Sequence, residues 1–340
     1  MSTFIIAEVG VNHNGDLELA KKMIEAAKAA GADCVKFQTF KAQEFVSDAN
    51  QTYTYRSQGV EVSESMMAMF KRLEFSKEEW REIVAHCESV GIAFSSTAQN
   101  RGDLDFLLGI TNLPFIKVGS DDLTHLEQLH YYASKGVPMV ISAGMAYAYE
   151  IEDAIRAIRD AGNSEITVLH CVSSYPTESH EVNLKKIAAI RDAFGVKVGF
   201  SDHTIGATAA VGAVVIGASV IEKHFTLDKN APGPDHWFSV DADELKEYVR
   251  AIRFIEKAIG SGELKPTKRE LAMRPLARRK VVAACEIAKG EALTQEMLAY
   301  KRTSTAAHGA LEPKEAHFIL GRRAASAIAK DMPITLELLL

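Results

Sequence analysis

Lys36 and Lys117 each interrupt a short apolar run, Cys34–Phe37 and Phe115–Val118. A buried ammonium without a counter-charge is costly, so each lysine requires an anion. Neighbouring carboxylates could provide it as structural ion pairs. Alternatively, the two lysines, joined by the hydroxyls of Thr97, Ser120, Ser142 and Ser201, hold a small phosphate-bearing carboxylate. His203 and His224 also close apolar runs, and Asp202, Glu222 and Asp235 lie nearby in the chain. Two imidazoles from adjacent strand ends can reach one metal ion while positions stay open for water and substrate. The carboxylates would then orient the rings or bind metal-held water. His13, His170 and His236 are weaker candidates, each equally consistent with a hydrogen-bonded structural role. Cys171, inside the run Val168–Val172, reads as a buried strand thiol.

These residues need a scaffold that brings strand ends together. Eight β-branched or apolar runs are legible: Phe4–Gly10, Cys34–Thr39, Ala93–Ala98, Phe115–Ser120, Pro138–Gly144, Ile166–Val172, Lys197–His203 and Val220–Thr226. Segments with helical spacing alternate with them, Leu17–Ala27 before Gly31 being one. The alternation predicts an α/β fold, a (β/α)8 TIM barrel, whose active site lies at the carboxyl ends of the strands. Apart from Asp235 and His236, which follow the last run, the polar residues named above fall in or just after these runs. The longest interruption, 40–76, is expected to be a functional or mobile loop, and its methionines, Met66, Met67 and Met69, are expected to pack. The barrel is placed at 1–259, a Gly, Ser and Pro-containing linker at 260–275, and a small β-rich unit at 276–340. So small a unit needs something larger to dock on.

Bulk properties narrow the function. With 340 residues, 47% hydrophobic content and a net charge of −6, the chain can bury one large core but carries no basic footprint for nucleic acid or anionic membrane. Neither a secretory signal nor an apolar run long enough for a bilayer is visible, and four scattered cysteines predict reduced thiols and a cytoplasmic location. Neither a P-loop nor a GxGxxG fingerprint follows any strand, which argues against a nucleotide enzyme.

The motifs Ile6–Gly15, Gly31–Gln38, Ile116–Ser120, Leu169–Cys171, Ser201–Thr204, Glu222–Asp228 and Pro232–His236 resemble those of the N-acetylneuraminate (sialic acid) synthases and their legionaminic and pseudaminic relatives. The tail from about Arg278 resembles their antifreeze-like (SAF) domain. The resemblance implies that carbon 3 of phosphoenolpyruvate attacks the aldehyde of N-acetylmannosamine or a related 2-acetamido sugar, with phosphate leaving by C–O cleavage. It implies that Lys36, Thr97, Lys117, Ser120, Ser142 and Ser201 hold phosphoenolpyruvate. It assigns a divalent metal, manganese first and magnesium or cobalt as alternatives, to His203 and His224. Glu8, Gln38, Tyr175, Glu222 and Asp235 would line the metal and sugar region, with Glu8 or Glu222 managing the attacking water. Asp122 would touch sugar hydroxyls, and Ser173 would bind substrate at a place where some relatives carry Asn. Arg302 would reach the acetamido group of a sugar held by a partner subunit, in a domain-swapped homodimer. Thr97-Ala98-Gln99-Asn100, Ala143 and the tail loop 301–309 depart from the usual pattern. The rival is a synthase acting on a phosphorylated aldose, of the octulosonate or heptulosonate phosphate type, which lacks the tail. A metal hydrolase would call for an early HxH, and an ice-binding module for a flat Thr-rich or apolar face. Neither is present.

Overall fold

Eight strands pair in parallel and close on themselves: β1 (Phe4–Gly10), β2 (Cys34–Thr39), β5 (Ala93–Ala98), β6 (Ile116–Val118), β7 (Met139–Ser142), β8 (Ile166–His170), β9 (Lys197–Asp202) and β10 (Val220–His224). Around the barrel β1 lies between β10 and β2, and the remaining strands follow in sequence order. The computed structural model describes residues 2–303 and 308–340, so Ser304–Ala307 of the tail loop lie outside the described residues. The expected barrel is therefore present, with strand limits within a few residues of those read from the sequence.

Strand alternation sorts the side chains into two layers. One set faces the helices and forms the main core with residues such as Ile5, Ala7, Val35, Phe37, Ile141 and Ile221. The other set points into the barrel. Its lower layer is an apolar plug of Ile6, Cys34, Phe115, Val140 and Leu169. Two residues further along the same strands come Glu8, Lys36, Lys117, Ser142 and Cys171, so the polar groups sit directly above a dry floor. Gly199 belongs to this floor because a Cβ there would lie 2.5 Å from Leu169 Cδ2 and 2.5 Å from the Val220 carbonyl oxygen.

The helices are well delimited. Leu17–Ala30 starts on Asp16, whose carboxylate accepts from the Glu18 and Leu19 amides, and stops at Gly31 in the left-handed region. Lys77–Val90 opens with a reciprocal Ser76/Glu79 capping box. The interruption at 40–76 is not an irregular loop. It holds an antiparallel hairpin, β3 (Thr52–Ser57) and β4 (Val60–Ser65), turned at Gln58-Gly59 with both residues at positive φ, followed by the helix Met66–Leu73. Met69 packs with Val11, Phe40 and Leu73.

The chain divides into two units, Met1–Gly260 and Ser261–Leu340. The stretch read as a linker contains a helix, Lys268–Ala277, because Thr267 and Glu270 form a capping box that outweighs the turn-forming residues before it. The second unit contains the antiparallel pair β11 (Lys280–Ala283) and β12 (Leu298–Lys301), single bridges and 3-10 turns around Val281, Ile287, Leu293, Ile319, Ile328 and Ile334. Among the described residues no helix is long and apolar enough to cross a membrane.

Candidate active site at the barrel mouth

The upper polar layer lines a cavity of about 610 Å³ at the carboxyl ends of the strands. Neighbouring strands bring their residues level, with Glu8 beside Lys36 and His224, Gln38 beside Thr97, Thr97 beside Lys117, and Glu222 beside Ser201. Lys36 Nζ lies 2.7 Å from Glu8 Oε2 and 3.7 Å from Glu222 Oε2, and donates to Thr97 Oγ1 at 2.9 Å. Lys117 Nζ lies 3.8 Å from Glu222 Oε1 and donates to Ser142 Oγ at 2.9 Å. Ser201 Oγ donates to Glu222 Oε1 at 2.8 Å. Both lysines thus have carboxylate partners, as the ion-pair alternative requires, and both also face the cavity.

The two carboxyl groups are set apart by their surroundings. Burial raises Glu8, with Lys36 pulling the other way and Glu222 adding like charge, and the balance is a pKa of about 7. Burial would raise Glu222 too, but Lys117 and Lys36 on either side and the Ser201 hydroxyl hold it down at about 2. At neutral pH, Glu222 is a fixed negative charge while Glu8 exchanges a proton readily. Gln38 Nε2 donates to Glu8 Oε1 at 3.4 Å. A Cβ on Gly10 would touch Glu8, Gln38 and Asp235, which marks how closely these three converge.

His203 and His224 face each other with ring centroids 5.6 Å apart. His203 Nδ1 donates to the Val172 carbonyl at 2.7 Å, which leaves Nε2 as the acceptor nitrogen. His224 Nδ1 is buried without a hydrogen-bond partner, 3.9 Å from Asp235 Oδ2. Burial holds both rings below the usual imidazole pKa and so neutral. Neutral imidazoles are suited to a metal ion, His203 through Nε2, which here meets Ser201 Oγ at 3.3 Å, and His224 with a ring nitrogen that has no partner. Among the described residues, no group of three or more His, Cys, Asp and Glu is placed to hold a metal by itself; two imidazoles alone would leave positions on an ion for water and substrate.

Thirteen of the sequence-predicted residues line this cavity: Glu8, Lys36, Gln38, Thr97, Lys117, Ser120, Ser142, Ser173, Tyr175, Ser201, His203, Glu222 and His224. Asp235 lines the adjoining cavity instead. Asp122 lines neither; its neighbour Asp121 does, folding back over Gly119 so that Oδ1 occupies the space a Cβ would need. Arg302 belongs to the second unit, exposed, with Nε donating to the Ala277 carbonyl at 3.1 Å. Asp202 does not orient His203. It points to the helix side, accepting from Tyr248 Oη at 2.8 Å and pairing with Lys223 at 3.3 Å, as alternation along β9 dictates.

His13, His170 and His236 are buried outside the cavity: His13 stacks on Phe75 at 4.2 Å, His170 Nε2 meets the Val182 carbonyl and His236 Nδ1 meets Thr226 Oγ1. Sequence reasoning missed Phe45, Tyr53, Phe70 and Met145 as lining residues. The aromatic spacing of Tyr53 and Tyr55 was the available signal. A depression of about 680 Å³ between 176–185 and 204–209 is larger but gathers no paired charges. The paired charges lie in the smaller cavity.

Similarity to known proteins points to one family. Residues 23–264 match the NeuB family and residues 278–340 match the SAF domain. An N,N'-diacetyllegionaminic acid synthase from Legionella pneumophila is 41% identical over 95% of this chain and 90% of its own length. The human N-acetylneuraminate-9-phosphate synthase is 36% identical over 98% of this chain and 92% of its own. A crystal structure of the N-acetylneuraminic acid (sialic acid) synthetase from Leptospira borgpetersenii, in complex with citrate, superposes with a TM-score of 0.71 at 32% identity, covering 82% of this chain and 94% of that one. With its family match spanning most of the barrel and these relatives covered almost end to end, the chain belongs to the NeuB family.

Proposed function

We propose that this enzyme joins phosphoenolpyruvate to the aldehyde of open-chain N-acetylmannosamine or a related 2-acetamido sugar, giving a nonulosonic acid and inorganic phosphate. The observation that carries the reading is the convergence of two buried lysines, two carboxyls of opposite pKa displacement and two neutral imidazoles on one cavity. The names of the relatives support it, as does the SAF domain, which the phosphorylated-aldose synthases lack.

Lys36 and Lys117, with Thr97, Ser120, Ser142 and Ser201, bind the phosphate and carboxylate of phosphoenolpyruvate, an arrangement that answers a small polyanion with charge-assisted hydrogen bonds. Carbon 3 attacks the aldehyde carbon, water adds at carbon 2, and the resulting tetrahedral carbon expels phosphate as its C–O bond breaks. Glu8, whose carboxyl pKa is raised towards neutrality by burial, takes the proton from that water. Glu222 stays ionised and keeps the lysines and Ser201 in place. Gln38, Tyr175 and Asp235 position the sugar, with Ser173 at the junction of the two cavities. A divalent ion, manganese first, held by His203 and His224 would supply Lewis-acid polarisation of the aldehyde.

The same reading makes the enzyme a cytoplasmic homodimer in which Arg302 of one subunit serves the sugar of the other. Support for this comes from the family resemblance, the exposed guanidinium and the four free cysteines. The reading is tested by phosphate release from phosphoenolpyruvate with N-acetylmannosamine, 2,4-diacetamido-trideoxyhexoses, mannose and a phosphorylated aldose without an acetamido group in turn. Release with 2-acetamido acceptors supports it. Release only with a phosphorylated aldose replaces it with the rival.

A further inference from the structure

The main cavity opens into a second of about 410 Å³, and both are lined by Gln38, Tyr53, Ser173, Tyr175 and His224. The outer walls of this annex are the β3–β4 hairpin and the segment 234–238. Tyr53 and Tyr55 stack at 5.7 Å, the Arg56 guanidinium lies 5.2 Å above the Trp237 ring, and Tyr175 packs on Phe238 at 4.9 Å. Two charged side chains line it, Arg56 and Asp235.

The reacting aldehyde belongs beside the lysines and imidazoles, so an open-chain sugar that continues past Gln38 and Tyr175 carries its far end into the annex. We propose that the annex selects acceptors whose end remote from the aldehyde is uncharged and bears a methyl or acyl group, and rejects a phosphorylated end. The proposal rests on the synthase reading above.

On that reading the main cavity meets phosphate with two buried ammonium groups backed by hydroxyls. The annex offers one guanidinium, exposed and resting on an indole face, with a carboxyl facing the same space. A phosphate dianion there would lose hydration without sufficient counter-charge and would meet Asp235 as a like charge. Ring faces suit a methyl or acetyl group. Ser173, Ser174 and the Gln38 amide supply neutral hydrogen bonds to hydroxyl or amide groups.

The test is kcat/KM at saturating phosphoenolpyruvate for three acceptors: N-acetylmannosamine, its 6-phosphate, and a 2,4-diacetamido-2,4,6-trideoxyhexose of the same configuration. The 6-phosphate should be poorer than the best uncharged acceptor by at least about tenfold. Tyr53→Ala and Trp237→Ala should each raise the KM of the trideoxy acceptor by roughly tenfold while the phosphoenolpyruvate KM holds. Tyr53 sits on an exposed hairpin, so its removal leaves the barrel intact, and Trp237→Phe, which keeps a ring, should retain the preference. A 6-phosphate used as well as the uncharged sugars, or Tyr53→Ala with unchanged acceptor KM, overturns the proposal. Absence of phosphate release with every 2-acetamido acceptor removes the synthase reading itself and the proposal with it.

Discussion

Replacing Lys36 with Met removes one ammonium and nearly preserves side-chain length. Lys36 now stands 2.7 Å from Glu8, 3.7 Å from Glu222 and 2.9 Å from Thr97. If it also meets the phosphoenolpyruvate anion, its loss forfeits a charged hydrogen bond of about 1.5 to 3 kcal/mol. Coulomb's law at an effective dielectric near 20 puts a contact at about 4 Å at roughly 4 kcal/mol, which sets the upper end. The dissociation constant for phosphoenolpyruvate should therefore rise by about tenfold to a thousandfold. The cost to folding should be smaller than the roughly 3 to 5 kcal/mol typical of stripping one partner from a buried pair. Glu8 already sits at about 7 and can take up a proton, while Glu222 keeps Lys117 and Ser201. Titration calorimetry with phosphoenolpyruvate and thermal unfolding would measure both effects. Unchanged phosphoenolpyruvate binding in Lys36→Met and in Lys117→Met would refute the reasoning and move the anion site elsewhere.

Chelation should abolish turnover and manganese should restore it, and metal content by atomic spectroscopy should fall to background in the His203→Ala, His224→Ala double variant; full activity in that metal-free variant would remove the metal assignment. Burial holds His13 at about 3 and His236 at about 4, well below an unfolded imidazole near 6.5. Below pH 6.5 the unfolded chain takes up these protons first, so their contribution to stability is complete above 6.5 and falls as the pH drops. At pH 5 the loss should be about 2 kcal/mol for each ring, and chemical denaturation of His13→Gln should show a correspondingly flatter decline between pH 7 and 5. Arg302→Ala should raise the acceptor KM by about tenfold, the loss of one charged hydrogen bond, with a smaller effect on phosphoenolpyruvate. A barrel ending near Ile259, mixed with full-length chains carrying the His203→Ala and His224→Ala changes, should recover activity if the second unit acts across the dimer; a fully active monomer by sedimentation would exclude the swap.

The barrel was legible because apolar runs with polar residues at one end recur eight times in alternation with helical segments, the count that a closed parallel sheet needs. Lys36 and Lys117 were legible for the same reason, since an ammonium in an apolar strand stands out. The partners that neutralise them were harder to see. Glu8, Lys36 and Glu222 are far apart in the chain and meet only when β10 closes on β1 and β1 pairs with β2. Asp202 illustrates the opposite limit: proximity to His203 in sequence suggested shared work, but neighbours on a strand face opposite ways, and it serves Tyr248 and Lys223. The hairpin at 52–65 alternates, with Tyr53, Tyr55, Val60 and Val62 at period two, but nothing in that pattern says where it packs, so its role as a wall of the cavity comes from tertiary placement. The Gly, Ser and Pro residues at 260–266 masked the capping signal of Thr267 and Glu270.

The most direct measurement of the central claim follows the bridging oxygen of phosphoenolpyruvate. With that oxygen labelled as ¹⁸O and a 2-acetamido acceptor present, mass spectrometry should find the label in the released phosphate and a sugar acid whose mass equals acceptor plus pyruvate. Label retained in the organic product, or phosphate released without a new carbon–carbon bond, would contradict the account.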